Sequence, residues 1–325
     1  MATLTVSPAP HFQSPVTTRH LMNDVLIALS PAVLVSLLFY GWNALMLLAV
    51  SVATCLLCEF LIERYLRHRE VPSYSATILT GVLLALNLPP AASWWIAFIG
   101  GIAAIAIAKM CFGGLGQNIF NPAIFGRVFL LVSFPVAMTT WAAPAGWLGV
   151  DAFSGATPLA AVSEGLRQGI PASQIIAEGG LSGWKALFAM AGGSVGEISA
   201  LALIAGFVYL LVRRVIRPTI PLTILGTVAL LTTIFWLINP DKFTGPVFNL
   251  LSGGLLLGAI FMATDYVTSP MTTVGMIIYG VIIGVMTVLI RYFGAYPEGV
   301  SFAILIANMT VPLLNKYCKP KRFAA

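Results

Sequence analysis

A threonine hydroxyl, two glycine-rich breaks and a few charges inside apolar sequence are the features of this chain suited to chemistry. The threonine is Thr157. It closes Asp151-Ala152-Phe153-Ser154-Gly155-Ala156-Thr157, in the only long hydrophilic stretch between apolar segments. Gly155 and Ala156 give its hydroxyl small neighbours, and Pro158 disfavours helical backbone at Thr157, which holds it extended. A hydroxyl so placed is open to esterification by a modifying enzyme. The same residues also fit a plain turn, with Thr157 as a helix N-cap and Pro158 at the first helical position.

Three further clusters carry polar groups into apolar surroundings. Gly192-Gly193-Ser194-Val195-Gly196-Glu197 reads as a glycine-rich break before a helix, exposing backbone N–H groups and a positive dipole end. It also reads as a break that lets helices pack closely. Glu197 is either functional by virtue of its apolar setting or simply faces water. Gly113, Gly114 and Gly116 lead into Asn118 and Asn121, three apart and expected on one helix face, then Pro122 and Arg127. An unpaired guanidinium at membrane depth is costly, and Asp265, Glu59 or a ligand are the candidate partners. In Phe261–Pro270, Asp265 with Thr264 and Thr268 fits a cation path or a pocket, or the cap of the following helix.

The elements that must position these groups are membrane spans. Of 325 residues, 59% are hydrophobic and 9% charged, against about 25% charged in a soluble domain. Mean hydropathy is +0.95. The net charge of +6 does not point to nucleic acid, because the basic residues fall in short clusters between apolar runs. Ten spans are expected, near 25–41, 43–62, 74–91, 93–111, 119–139, 186–212, 219–238, 247–264, 274–290 and 299–315. The first would serve as insertion signal, with no removable leader before it. Placing the N-terminus in the cytoplasm puts twelve of the seventeen Lys and Arg on that side, Lys109 among them. Both termini are then cytoplasmic.

The expected fold is an all-α polytopic membrane protein of about ten transmembrane helices. Two five-helix halves, 1–141 and 186–325, flank an outward loop, 142–185. The odd count per half forces opposite orientations, and inverted repeats place functional sites where the halves meet. Thr80-Gly81-Val82-Leu83-Leu84 and Gly253-Gly254-Leu255-Leu256-Leu257 echo one another, each ahead of a proline turn. In the loop, Trp141, Trp147 and Trp184 suit the membrane interface, and short helical pieces are expected on the outer face. Cys55 and Cys58 read as small buried hydrophobes within a helix. The residues alone leave open a channel or transporter for a small solute, built on the same repeat without redox chemistry, and a structural scaffold.

Taken together, these segments resemble the RnfD/NqrB family of ion-translocating redox complexes, and the RnfD branch more than the NqrB branch. Asp151-x-x-Ser154-Gly155-Ala156-Thr157 resembles the acceptor motif of a flavin transferase. The likeness continues through Gly116–Ala123, Gly192–Glu197, Thr264–Pro270 and Tyr296–Ala303. It implies FMN joined through its phosphate to Thr157, in a periplasmic loop of a bacterial inner-membrane protein. Gly192, Gly193 and Ser194 are then candidate contacts for that flavin. A second, non-covalent riboflavin is implied between the helices at Thr80, Asn118 and Asn121, while Arg127, Glu197 and Asp265 are candidates for ion or charge coupling. The implied partners are the other Rnf subunits, one bearing a second covalent FMN and others iron–sulfur clusters, with the flavin transferase acting during maturation. The chain itself has no dinucleotide fingerprint and no cysteine set for a cluster. It would be a relay in a complex moving electrons between ferredoxin and NAD, coupled to Na⁺ or H⁺, with no complete active site of its own.

Overall fold

The computed structural model describes residues 17–68, 74–141, 157–178, 193–294, 296 and 298–319. Among them every regular element is a helix. Four helices are long and apolar enough to cross a membrane, Thr18–Leu66, Thr219–Ile238, Thr273–Phe293 and Val300–Tyr317. Shorter apolar helices cover Tyr74–Leu86, Trp94–Met110, Pro122–Ser133 and Ala200–Val212. This is the pattern of a multi-pass membrane protein.

The first helix, α1 (Thr18–Leu61), has 44 residues. A straight rod of that length would run about 66 Å, twice the roughly 30 Å hydrocarbon layer. It is interrupted at Gly41, with φ 55° and ψ −127°, a conformation that glycine alone adopts readily. The interruption falls between the two spans expected at 25–41 and 43–62. Exposed Ile27, Leu34 and Leu38 recur at helical spacing, an apolar stripe suited to lipid.

Several other helices are cut short. α2 (Tyr74–Leu86) stops ahead of Leu88-Pro89-Pro90, and α3 (Trp94–Met110) turns π-helical from Ala103 onward. α4 (Pro122–Ser133) and α5 (Pro135–Thr139) are divided at Pro135, which has no N–H to continue the ladder. α6 (Pro158–Arg167) and α7 (Ala172–Glu178) are the short helical pieces expected within the loop. α8 (Ala200–Val212) and α9 (Thr219–Ile238) follow.

The eighth expected span is not continuous. α10 (Pro246–Leu251) ends at Ser252, Gly253 takes φ +70°, and α11 (Leu255–Leu257) resumes and runs on as a π turn, Gly258–Met262. α12 (Thr273–Phe293) and α13 (Val300–Tyr317) complete the chain. Broken helices at membrane depth are tolerated where they are buried in protein or line a cavity.

α1 packs on α2, α3 and α8, while α9 packs on α12 and α12 on α13. Glycine sets the closest approach: a Cβ on Gly206 of α8 would sit 2.3 Å from the Ala28 carbonyl oxygen of α1. Small residues let helix backbones approach in this way when both are surrounded by lipid.

Candidate functional site

Thr157 is the N-cap of α6. Its φ of −61° and ψ of 155° are extended, and its Oγ1 accepts a hydrogen bond from the Ala160 N–H at 3.1 Å. Pro158 occupies the first turn. Thr157 is 3% exposed, so in this structure the hydroxyl is buried and not open to an enzyme as its small neighbours suggested. The turn-and-cap reading of these residues therefore describes the backbone, and it leaves the hydroxyl at the positive end of a ten-residue helix. Asp151, Ser154, Gly155, Ala156 and Gly192, the other residues expected at this site, lie outside the described residues.

Ala160, Ser163, Glu164 and Arg167 share one side of α6, and the extended N-cap Thr157 precedes it without lining that side. That side borders a cavity of about 380 Å³ whose other walls include Arg127, Glu298, Trp141 and Tyr296. Trp141 is thus a buried cavity wall rather than the interface anchor expected of it.

The Arg127 side chain is 6% exposed and paired within the protein. Its Nη1 donates to Asn87 Oδ1 at 2.8 Å, and its Nη2 donates to Glu298 in an ion pair. Glu197 Oε1 stands 4.0 Å from Nη1. Asp265 and Glu59, the partners expected from sequence, are both engaged elsewhere. Glu197 is turned inward, its side chain 4% exposed, and does not face water. Close by, Arg291 donates from Nη1 to the Asn249 carbonyl at 2.6 Å and from Nη2 to the Ser252 carbonyl at 3.0 Å. These bonds serve carbonyls at the broken end of α10, which have no helical partner.

The Ser252–Gly254 break joins these groups to α6. A Cβ on Gly253 would meet Leu159 Cδ1 at 2.7 Å and Arg291 Nη2 at 3.0 Å. One on Gly254 would meet Glu197 Oε1 at 2.7 Å and Arg127 Nη1 at 3.4 Å. Two guanidinium groups and two carboxylates therefore lie beneath the helix that Thr157 caps.

The Gly193–Glu197 segment is the non-helical lead into α8, as the glycines suggest. Val195 N–H donates to the Leu88 carbonyl at 3.0 Å and Gly196 N–H to the Leu86 carbonyl at 2.7 Å. Those two donors are occupied by the end of α2, and the Gly193 carbonyl accepts from the Tyr40 hydroxyl at 3.2 Å. The segment acts as a splice between α1, α2 and α8.

A second cavity lies at the opposite end of α4. Thr80, Asn118, Asn121, Thr264, Asp265 and Lys109 all line it, so the sequence-predicted riboflavin residues do converge. Asn118 and Asn121 do not share a helix face. Asn118 precedes the helix, donating from Nδ2 to the Phe120 carbonyl at 2.9 Å. Asn121 is the N-cap, accepting on Oδ1 from the Ala123 and Ile124 N–H groups and donating to the Met262 carbonyl at 3.1 Å. Asn-Pro places a cap and a first-turn proline in sequence, which is why α4 starts where it does. Asp265 accepts from Thr268 Oγ1 at 3.1 Å and does not cap the next helix, whose N-cap is Thr272.

Lys109 is not the loop cation counted from sequence. It is 3% exposed within α3, and its Nζ lies 2.6 Å from Glu59 Oε2, with Thr77 also bonded to that carboxylate. Removing one member of a buried pair strands the other at a cost of about 3–5 kcal/mol. Lys109→Met should therefore sharply lower the thermal midpoint of the purified chain. Lys109→Met combined with Glu59→Gln should recover most of the loss, as read by a melting series. Sequence reasoning gave Lys109 only a place among the orienting cations, and singled out no contact for Asn87, Glu298 or Arg291. The signal was present in each as a polar group within or beside apolar sequence.

Broken helices around two cavities, with ion-paired charges between them, define a polytopic membrane protein. The chain belongs to the NQR2, RnfD, RnfE family, whose model matches residues 5–324. It is similar to one component of the Na⁺-translocating ferredoxin:NAD⁺ oxidoreductase complex of Acetobacterium woodii. Identity there is 41% over 319 residues, covering 98% of this chain and 94% of the relative. It is also similar to components of the ion-translocating oxidoreductase complexes of Cronobacter sakazakii, at 37% identity, and Escherichia coli, at 38%. Each match covers 97% of both chains.

Proposed function

We propose that this chain is the flavin-bearing membrane subunit of an ion-translocating electron-transport complex of the ferredoxin:NAD oxidoreductase type. Relatives of nearly full length are named as components of such complexes. The observation that carries the flavin reading is the setting of Thr157. Its hydroxyl oxygen already accepts the Ala160 N–H at the start of a helix, and an ester oxygen keeps that acceptor capacity. A phosphate there is favoured by the helix dipole. The cavity that begins at Ala160, one helical turn from Thr157, measures about 380 Å³, within the roughly 300–1,000 Å³ of small-molecule sites. Trp141 and Tyr296 offer aromatic walls to a planar ring.

The second cavity supports a non-covalent riboflavin in the chemistry of its lining. Thr80 and Asn118 present polar groups, whereas the Asn121 side chain is spent on its cap and on Met262. Its volume is about 70 Å³, below that of a typical ligand site, so a ring enters only as the walls part. Asn121 and Arg127 are six residues apart on α4, a rise of about 9 Å. One short helix therefore links the two cavities, and each flavin would supply the redox chemistry of its own site. The chain holds the carrier position, excludes lipid and balances charge. Asn118→Leu should lower the non-covalent flavin recovered by solvent extraction by about tenfold or more, given the penalty for losing a buried hydrogen-bonding group, while leaving covalent flavin unchanged.

The deciding experiment expresses the chain with a flavin transferase and illuminates it in a denaturing gel. A fluorescent band establishes the covalent flavin. A dark band, with no mass increment on the intact chain, leaves the solute-channel reading in its place.

A further inference from the structure

Beside the Trp141–Tyr296 cavity along α6 lies a third cavity, of about 350 Å³, which shares Ser163 and Arg167 with it. Leu159, Val162 and Leu166 of α6 form its apolar wall. Three cations line it, Arg167, Lys242 and Arg291, and no carboxylate is among its described lining residues. Arg167 and Lys242 are exposed at the rim, whereas Arg291 is 9% exposed. Both Nη groups of Arg291 are spent on the end of α10, yet its buried Nε–H has no hydrogen-bond partner among the described residues. That Nε–H is sealed from solvent, so Arg291 acts on the cavity through its charge. Glu197 and Glu298 also act on Arg291 electrostatically, whereas Glu164 and Asp241 lie nearest in sequence to the rim cations and neither lines the cavity.

The surroundings identify the class of anion. Leu237, Ile238, Val247 and Phe293 are large, apolar and exposed around this end of α9, α10 and α12. In a membrane-spanning chain such side chains meet lipid. A cavity with an apolar wall, basic rim and lipid-facing border suits a phosphate carried on an acyl-chain body. We propose that the Arg167–Lys242–Arg291 cavity binds the phosphate of an anionic phospholipid. The lipid holds α6 against α10.

The test uses the full-length chain, purified in detergent and delipidated, beside Arg167→Gln/Lys242→Gln. Both substituted side chains are exposed, so the fold should survive, and a melting curve verifies it. Native mass spectrometry reads adducts with phosphatidylglycerol, phosphatidylcholine and inorganic phosphate. The wild-type chain should prefer phosphatidylglycerol over phosphatidylcholine, and the double variant should bind it roughly tenfold to thirtyfold more weakly. Arg291→Gln, where it folds, should weaken it further. Equal retention of the two lipids by the wild type, or an unchanged preference in the double variant, overturns the proposal. So does displacement of phosphatidylglycerol by an equal concentration of inorganic phosphate, which would assign the cavity to a free anion.

Discussion

Thr157→Ala is expected to abolish covalent flavin completely while destabilising the chain only modestly. The two effects come from different properties of one side chain. Its hydroxyl is the proposed ester oxygen, and the same oxygen caps α6. Loss of a threonine cap costs about 1 kcal/mol. Asn and Asp cap helices at least as well as Thr but have no hydroxyl. Thr157→Asn should therefore melt like the wild type and give a dark band after flavin-transferase co-expression. Thr157→Ser keeps both cap and hydroxyl and should stay fluorescent wherever the transferase accepts serine. Full fluorescence in Thr157→Asn would place the attachment on another residue.

Arg127→Met should be the most damaging single substitution in the membrane core. The guanidinium pairs with Glu298, bonds Asn87 and lies 4.0 Å from Glu197. Without it two carboxylates stay buried with no nearby partner on α4, a loss of about 3–5 kcal/mol. That is a large share of a typical stability of about 5–15 kcal/mol, so most of the chain should fail to accumulate in membranes. Adding Glu298→Gln removes one stranded charge. The double variant should be more stable than the sum of the single losses implies, because contacting residues couple by about 0.5–3 kcal/mol. Glu197→Gln, at the longer distance, should be the mildest of the series. Strict additivity between Arg127→Met and Glu298→Gln would show that the pair does not act as a unit.

The long helices were legible because uninterrupted apolar sequence leaves the backbone one way to satisfy itself. The helix Thr219–Ile238 was expected at 219–238, and Thr273–Phe293 contains the expected 274–290. The breaks were legible in kind but not in consequence. Glycines at 253 and 254 announced a weak point, but not that Leu159, Arg291, Glu197 and Arg127 would press on it. Asn121 and Pro122 carried a cap signature that a simple i, i+3 reading of the two asparagines overlooked. Charged residues in apolar sequence marked themselves as important, yet their partners depend on packing between distant elements. Lys109 turned to Glu59 and Arg127 to Glu298, and neither choice is written in local spacing.

The ion pair between Arg127 and Glu298 joins positions 171 residues apart. At a synthesis rate of about 5–20 residues per second, the arginine emerges on the order of ten to thirty seconds before its counter-ion. During biogenesis the early helices thus reach the bilayer with Arg127 bonded only to Asn87, and then near Glu197, before Glu298 is made. The nascent chain must shelter the arginine at the insertion machinery, or in headgroup water, until the last hairpin is threaded, so maturation of the bundle waits on its own C-terminus.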